Sequence, residues 1–234
     1  MTDPAQLPLG FDHRPSLAGE NFLVAPGNAQ AVAWLDRWPA WPSTVLVVHG
    51  APGCGKTHLA RLFMERTGAR TVERDRLLAD EPPRLLADAP ALVVEDVDRR
   101  LDRAIEEALL HLHNVAAEAG RRLLLTASLP PSRWNLTLDD LRSRLAAAVA
   151  VAIAPPDDAL MAAILVKLFA DRQLRIDVGV IAFMLDRMER SFDAARRLVA
   201  AIDAAALEER RNVTVPFVRL VMTRATGDDP AGPV

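Results

Sequence analysis

Gly50-Ala51-Pro52-Gly53-Cys54-Gly55-Lys56-Thr57 fits the pattern G-x-x-x-x-G-K-[ST]. An apolar run, Val45-Leu46-Val47-Val48, leads into it, and a helical pattern with Leu59, Leu62 and Phe63 leads out. Strand, glycine-rich loop and helix are the unit that phosphate binding requires. The glycines let the backbone curl so that several N–H groups converge on one phosphate, and the following helix adds its positive N-terminal end. In such a loop Lys56 reaches the outer phosphates and the Thr57 hydroxyl sits on Mg²⁺, so a nucleotide is the expected ligand.

Further apolar runs extend the pattern. Thr44–His49, Ala91–Val94, Arg122–Ala127 and Val149–Ile153 read as buried strands, with a short one near 70–72. Helices are expected over 28–37 with Asn28 as N-cap, from the loop to about Thr67, and over 104–119 with Gly120 as the stop. The fold class implied is α/β: a five-stranded parallel sheet with helices on both faces. After Pro155-Pro156 the chain turns to helical periodicity, over about 158–171, 178–188, 192–210 and 216–224, with Asp177 and Ser191 as caps. This gives a small all-α lid. The expected organisation is an arm (1–20), an α/β nucleotide-binding core (21–155), the lid (156–226) and a tail (227–234).

Composition narrows the function. The chain has 234 residues, 50% apolar and 25% charged, with net charge −3. A pI near 6.0 argues against tight independent DNA binding. One cysteine excludes an internal disulfide. No apolar run approaches a membrane span, and the N-terminus lacks a signal-peptide pattern, so a cytoplasmic protein is expected.

Four more elements bear chemistry. Glu95-Asp96-Val97-Asp98 ends the third apolar run. One carboxylate there can hold the water shell of Mg²⁺, as proposed for Glu95, and a second can orient attacking water. The order Glu then Asp reverses the usual order of such ATPases, which argues against fast hydrolysis by the chain itself. Thr126-Ala127-Ser128 places hydroxyls at a strand tip, where they either sense the terminal phosphate or merely cap the strand. Leu141-Arg142-Ser143-Arg144-Leu145 offers arginines on a helix before the last strand. Arginine suits a finger toward a neighbour's nucleotide, because it stays charged and grips two oxygens at once; residue type alone favours a solvated surface arginine. Cys54 reads as a small filler, His111 and His113 as no metal pair, Trp34, Trp38 and Trp41 as an anchor for the N-terminal segment, and Glu106-Glu107 as solvated surface.

Together these stretches resemble the AAA+ ATPases of the DnaA/Hda family over nearly the whole chain. Asn21-Phe22-Leu23-Val24 with Gly27-Asn28 resembles the family's adenine-pocket segment. The resemblance implies that the cofactor is ADP or ATP with Mg²⁺, and that the nucleotide contacts lie at Phe22, Leu23, Val24, Asn28, Gly50, Pro52, Gly53, Cys54, Gly55, Lys56, Thr57 and His58. Thr126–Pro131 resembles the first sensor, with Ser128 as its polar residue, and Arg144 falls at the arginine-finger position. Residues 152–157 resemble the junction to the lid, and 212–218 its end. Asp193 stands where the family carries a second-sensor arginine; Arg196 lies one turn after it and Arg190 one turn before, so that either one substitutes or the contact is lost, with Arg196 carried as the candidate. Gln6-Leu7-Pro8-Leu9-Gly10-Phe11 resembles the peptide by which partners grip the sliding clamp, the β subunit of DNA polymerase III (DnaN). The initiator's helix-turn-helix and helicase-recruiting domains are not found in the sequence. This points to the short regulatory branch of the family.

The resemblance implies a negative regulator of replication initiation. Bound to the clamp, and to DNA only through it, such a protein stimulates ATP hydrolysis by DnaA and is more an activator than an efficient ATPase. Self-association is also conceivable. The alternatives left open are a self-sufficient ATPase acting as helicase loader or protein remodeller, and a non-catalytic nucleotide-binding adaptor.

Overall fold

The computed structural model describes residues 22–226. The clamp-type residues Gln6, Leu7, Pro8, Leu9 and Phe11, together with Asn21 and the 227–234 tail, lie outside the described residues. The chain divides into two units, an α/β unit ending at Ala154 and a helical one beginning at Pro155.

In the α/β unit, β1 (Val45–His49), β2 (Arg70–Thr71), β3 (Ala91–Val94), β4 (Arg122–Ala127) and β5 (Val149–Ala152) form one sheet in the order β2-β3-β4-β1-β5. Every pairing is parallel. Successive side chains of a strand point to opposite faces, and both sets here are apolar. Val45, Val47, Leu92, Val94, Leu123 and Leu125 enter one core with α3 (Arg74–Ala79), α4 (Pro82–Leu86), α5 (Arg103–Glu118) and α6 (Asp139–Ala146). Leu46, Val48, Ala91, Val93, Leu124 and Val151 enter the other with α1 (Ala29–Asp36) and α2 (Lys56–Thr67). A sheet apolar on both sides is stable only when helices cover both, which is why the runs read as continuous rather than alternating.

Phe63 of α2 is fully buried in the second core. Trp41 stacks on it at 5.5 Å and Trp38 meets it edge-on at 6.1 Å. The Trp41 indole N–H donates to the Trp34 carbonyl at 2.7 Å. The tryptophans therefore seat the segment after α1 on α2. Truncating Phe63 to alanine would cost about 3–5 kcal/mol.

The helical unit contains α7 (Asp158–Ala170), α8 (Val178–Leu185), α9 (Phe192–Glu209) and α10 (Val215–Thr226) around its own core of Met161, Leu165, Phe169, Val199, Ile202 and Phe217. Asp157 caps α7 by accepting from the Leu160 N–H at 2.8 Å, and Ser191 caps α9 through the Ala194 N–H at 3.1 Å. Asp177 precedes α8 without a side-chain cap bond. Asn28 likewise occupies the N-cap of α1, as expected, without a side-chain cap bond. Among the described residues no helix is long and apolar enough to cross a membrane.

Two helices differ from expectation. Residues 73–90 give no periodic signal, yet α3 and α4 form there, bringing Leu77, Leu85 and Leu86 into the first core. Helices of six and five residues are too short for a pattern of period 3.6 to repeat.

Candidate functional site

β1 lies between β4 and β5, so the strand order reverses at its C-terminal end, the place where open parallel sheets bind ligands. Register brings the tips together: His49 is opposite Ala127 on one side and Ala152 on the other, and Val94 is opposite Leu125. The 50–57 loop, the acidic 95–98 segment and Thr126–Ser128 therefore share one edge of the sheet.

The loop is curled by Gly53 (φ 74°) and Gly55 (φ 104°), both in the left-handed region. At Gly50 the reason for glycine is space: a Cβ there would sit 2.4 Å from the Ile153 carbonyl oxygen and 2.9 Å from the Cys54 sulfur. Lys56 is only 7% exposed, and its ammonium donates to the carbonyls of Gly50 at 2.8 Å and Ala51 at 3.1 Å. Among the described residues the N–H groups of Gly53, Gly55 and Thr57 find no acceptor. A buried cation and several convergent N–H groups at a helix N-terminus form a cradle for an anion. Thr57 is exposed at the start of α2. Burial pushes the Cys54 thiol up, so it stays protonated and fills space. Phe22 stacks on His58 at 5.4 Å, joining the segment before α1 to α2. Leu23 and Val24 are half-buried in that segment, whereas Pro52 is exposed in the loop. Asn28 is buried, with its side chain committed to the same segment: Oδ1 accepts from the Ala25 N–H at 2.9 Å and Nδ2 donates to the Leu23 carbonyl at 3.0 Å.

The acidic segment is organised unequally. Glu95 is half-buried, and its carboxylate makes no hydrogen bond or ion pair among the described residues. Asp96 lies in the left-handed region (φ 49°), donates its N–H to the Thr126 hydroxyl at 3.0 Å and pairs with Arg99 at 3.3 Å. Asp98 accepts from the N–H groups of Ser128 and Leu129, all at 2.9 Å. It also raises the His49 imidazole toward protonation, but burial outweighs this, Lys56 adds to the lowering, and the net shift is downward. Thr126 and Ser128, the expected sensor hydroxyls, thus differ: Thr126 is buried and bonded, and Ser128 is held by its backbone. No group of three or more metal-binding side chains occurs among the described residues.

Arg144 is exposed on the last turn of α6, with no ion pair among the described residues. Arg142, two residues earlier, is bonded to Asp139. In the helical unit Arg190 grips both oxygens of Asp158, at 2.7 and 3.2 Å, whereas Arg196 only approaches Asp193 at 4.0 Å.

Sequence reasoning missed two carboxylates. Asp98 is one. The other is Glu106, expected on the solvated surface but only 1% exposed. Its carboxylate accepts from the Thr137 N–H, the Thr137 hydroxyl and the Leu138 N–H, at 2.7 to 3.1 Å. The signal was its place on α5, three residues before buried Leu109.

With this geometry in view, residues 158–222 match the family model described as Hda, lid domain. The lid region of the chain is Hda-like. Among solved structures, the chain is similar to domain III of the replication initiation protein DnaA from Thermotoga maritima. They share 19% identity over 90% of this chain and 97% of that one, with a TM-score of 0.78. It is also similar to AMPPCP-bound DnaA from Aquifex aeolicus, at 16% identity over 91% and 69% of the two chains, with a TM-score of 0.70. The Thermotoga maritima RuvB Holliday junction branch migration motor follows at 19% identity, 78% and 61% coverage and a TM-score of 0.63. At these identities the likeness is one of fold. The family-level match is that of the lid, over residues 158–222.

Proposed function

We propose that this chain is a negative regulator of replication initiation that stimulates ATP hydrolysis by DnaA, lending Arg144 as an arginine finger. The observation that carries the reading is Arg144 itself: exposed, unpaired among the described residues and mounted on α6 of an AAA+ unit with an Hda-type lid. A guanidinium with no internal partner can stabilise charge on another protein's triphosphate, a contribution of about 10³–10⁵ in rate for such fingers.

The chain's own loop would hold an adenine nucleotide. The residues fit: Lys56 can exchange the Gly50 and Ala51 carbonyls for phosphate oxygens, and the N–H groups of Gly53, Gly55 and Thr57 face no internal acceptor. Two DnaA structures of like fold hold AMPPCP, which supports this assignment. Mg²⁺ would be held by the Thr57 hydroxyl and, through water, by Glu95; it supplies charge neutralisation on the phosphates. Asp96 is engaged by Arg99 at 3.3 Å rather than free to orient an attacking water. The bound nucleotide therefore serves assembly more than turnover, and ADP is its expected form. The clamp and DNA enter through the Gln6–Phe11 arm, an extended segment with a glutamine to hydrogen-bond and apolar side chains to fill a groove.

The test is Arg144→Ala assayed with clamp, DNA and ATP-loaded DnaA. The stimulated rate is expected to fall by about 10³ or more; undiminished hydrolysis overturns the finger. Gln6→Ala with Leu7→Ala is expected to abolish clamp affinity, and unchanged affinity rejects the arm. Turnover by the isolated chain that vanishes in Lys56→Ala would favour a self-sufficient ATPase instead.

A further inference from the structure

α5 precedes β4 and α6 precedes β5, and the two strands are parallel, so the helices run side by side in the same direction. Glu106 meets Thr137 and Leu138, the residues immediately before α6. Two helical turns further along α5, burial lowers the His113 pKa and the Arg144 charge lowers it further.

Glu106 is sealed from water, and its oxygens are the acceptors for the last N–H groups before α6. Burial opposes ionisation, yet the Thr137 and Leu138 N–H groups hold the carboxyl below its ordinary range. Leu141 and Leu145 fasten the buried face of α6, but apolar contacts tolerate sliding in a way that several directed hydrogen bonds to one carboxylate do not.

We propose that Glu106 is a positioning residue for Arg144: its buried carboxylate fixes the register of α6 on α5 and so sets where the finger arginine ends up. This rests on the reading of Arg144 as a finger. Nothing else in the α5–α6 seam offers a charged anchor among the described residues: Arg103 and Glu107 pair with each other on the exposed side, and Arg142 with Asp139.

The test uses the full chain with clamp, DNA and ATP-loaded DnaA. Compared are Glu106→Ala, Glu106→Gln, Arg144→Ala and the Glu106→Ala/Arg144→Ala double variant. Glu106→Ala is expected to lower the maximal stimulated rate at least tenfold, while the half-saturating concentration and the chain's own ADP affinity change less than threefold. Glu106→Gln, whose amide oxygen can still accept from Leu138 and Thr137, should recover to within threefold of the parent. The double variant should match Arg144→Ala alone, because a residue acting through Arg144 has nothing left to act on. Losses that multiply in the double variant, or a full rate in Glu106→Ala, overturn the proposal. Hydrogen exchange is read on the same proteins: amides of 139–146 should exchange faster in Glu106→Ala while those of β1 and β4 keep their protection. Unchanged exchange in α6 also overturns it. Should Arg144→Ala leave hydrolysis intact while α6 exchange rises in Glu106→Ala, the finger reading fails and the register assignment stands.

Discussion

Gly50→Ala offers a sharp trial of how the loop is seated. A Cβ at this position would lie 2.4 Å from the Ile153 carbonyl oxygen, inside the 3.0 Å that such atoms respect. The backbone must therefore yield by at least 3.0 − 2.4 = 0.6 Å. The obstacle is main chain at the end of β5, where Ile153 N–H also bonds the His49 carbonyl at 2.7 Å. Side-chain rotation cannot relieve it. Overpacking that forces backbone shifts costs about 1–3 kcal/mol, and two rigid main-chain segments argue for the upper half, about 2–3 kcal/mol. For a unit of this size that lowers the melting temperature by about 4–12 °C, with weakened nucleotide affinity because the loop moves as a body. Gly179→Ala supplies the counterpart: a Cβ there meets nothing within 4 Å and sits in the first turn of α8. Helix propensity predicts a gain of up to about 1 kcal/mol. Chemical denaturation of both variants, followed by far-UV circular dichroism, reads the signs directly. Gly50→Ala as stable as the parent, or Gly179→Ala less stable, would refute the packing argument.

Three further outcomes follow from the same coordinates. Ser191→Ala removes the α9 cap from a buried site and should destabilise the helical unit by about 1 kcal/mol, read as a lower denaturation midpoint at unchanged slope. Glu106 is held below its ordinary value of 4.5, so its contribution is complete above that value and fades as pH falls through the lower folded value; Glu106→Ala should flatten the loss of stability seen by acid titration below pH 4.5. Lys56→Ala should leave the protein folded, because the Gly50 and Ala51 carbonyls regain water, and should abolish nucleotide binding by isothermal titration calorimetry.

The sheet was legible because β1, β3 and β4 are short apolar runs whose two faces are both buried, and burial on both sides leaves its mark in the residues themselves. The loop was legible for a related reason, since glycine and lysine at fixed spacing are what the backbone geometry demands. Asp98 and Glu106 were not. Each carboxylate binds backbone N–H groups some thirty positions away, and a main-chain donor carries no residue identity. An acid that answers to Thr137 and Leu138 looks, in one dimension, like any acid facing water. Asn28 misled in the same way: its side chain turns back to Ala25 and Leu23 rather than forward into α1. The pairings that distinguish Arg190, Arg142 and Arg144 likewise depend on which acids the helices bring near, and spacing along the chain does not record that.

Lys56 closes the loop upon itself by holding the carbonyls of two residues at its mouth. A guest arriving there need not organise a floppy segment; it takes over a clasp that folding has already shaped. Most of the ordering entropy is thus settled before any encounter. If the proposed function holds, discrimination between a two- and a three-phosphate visitor would fall to the rim, to Thr57 and Glu95, rather than to the floor.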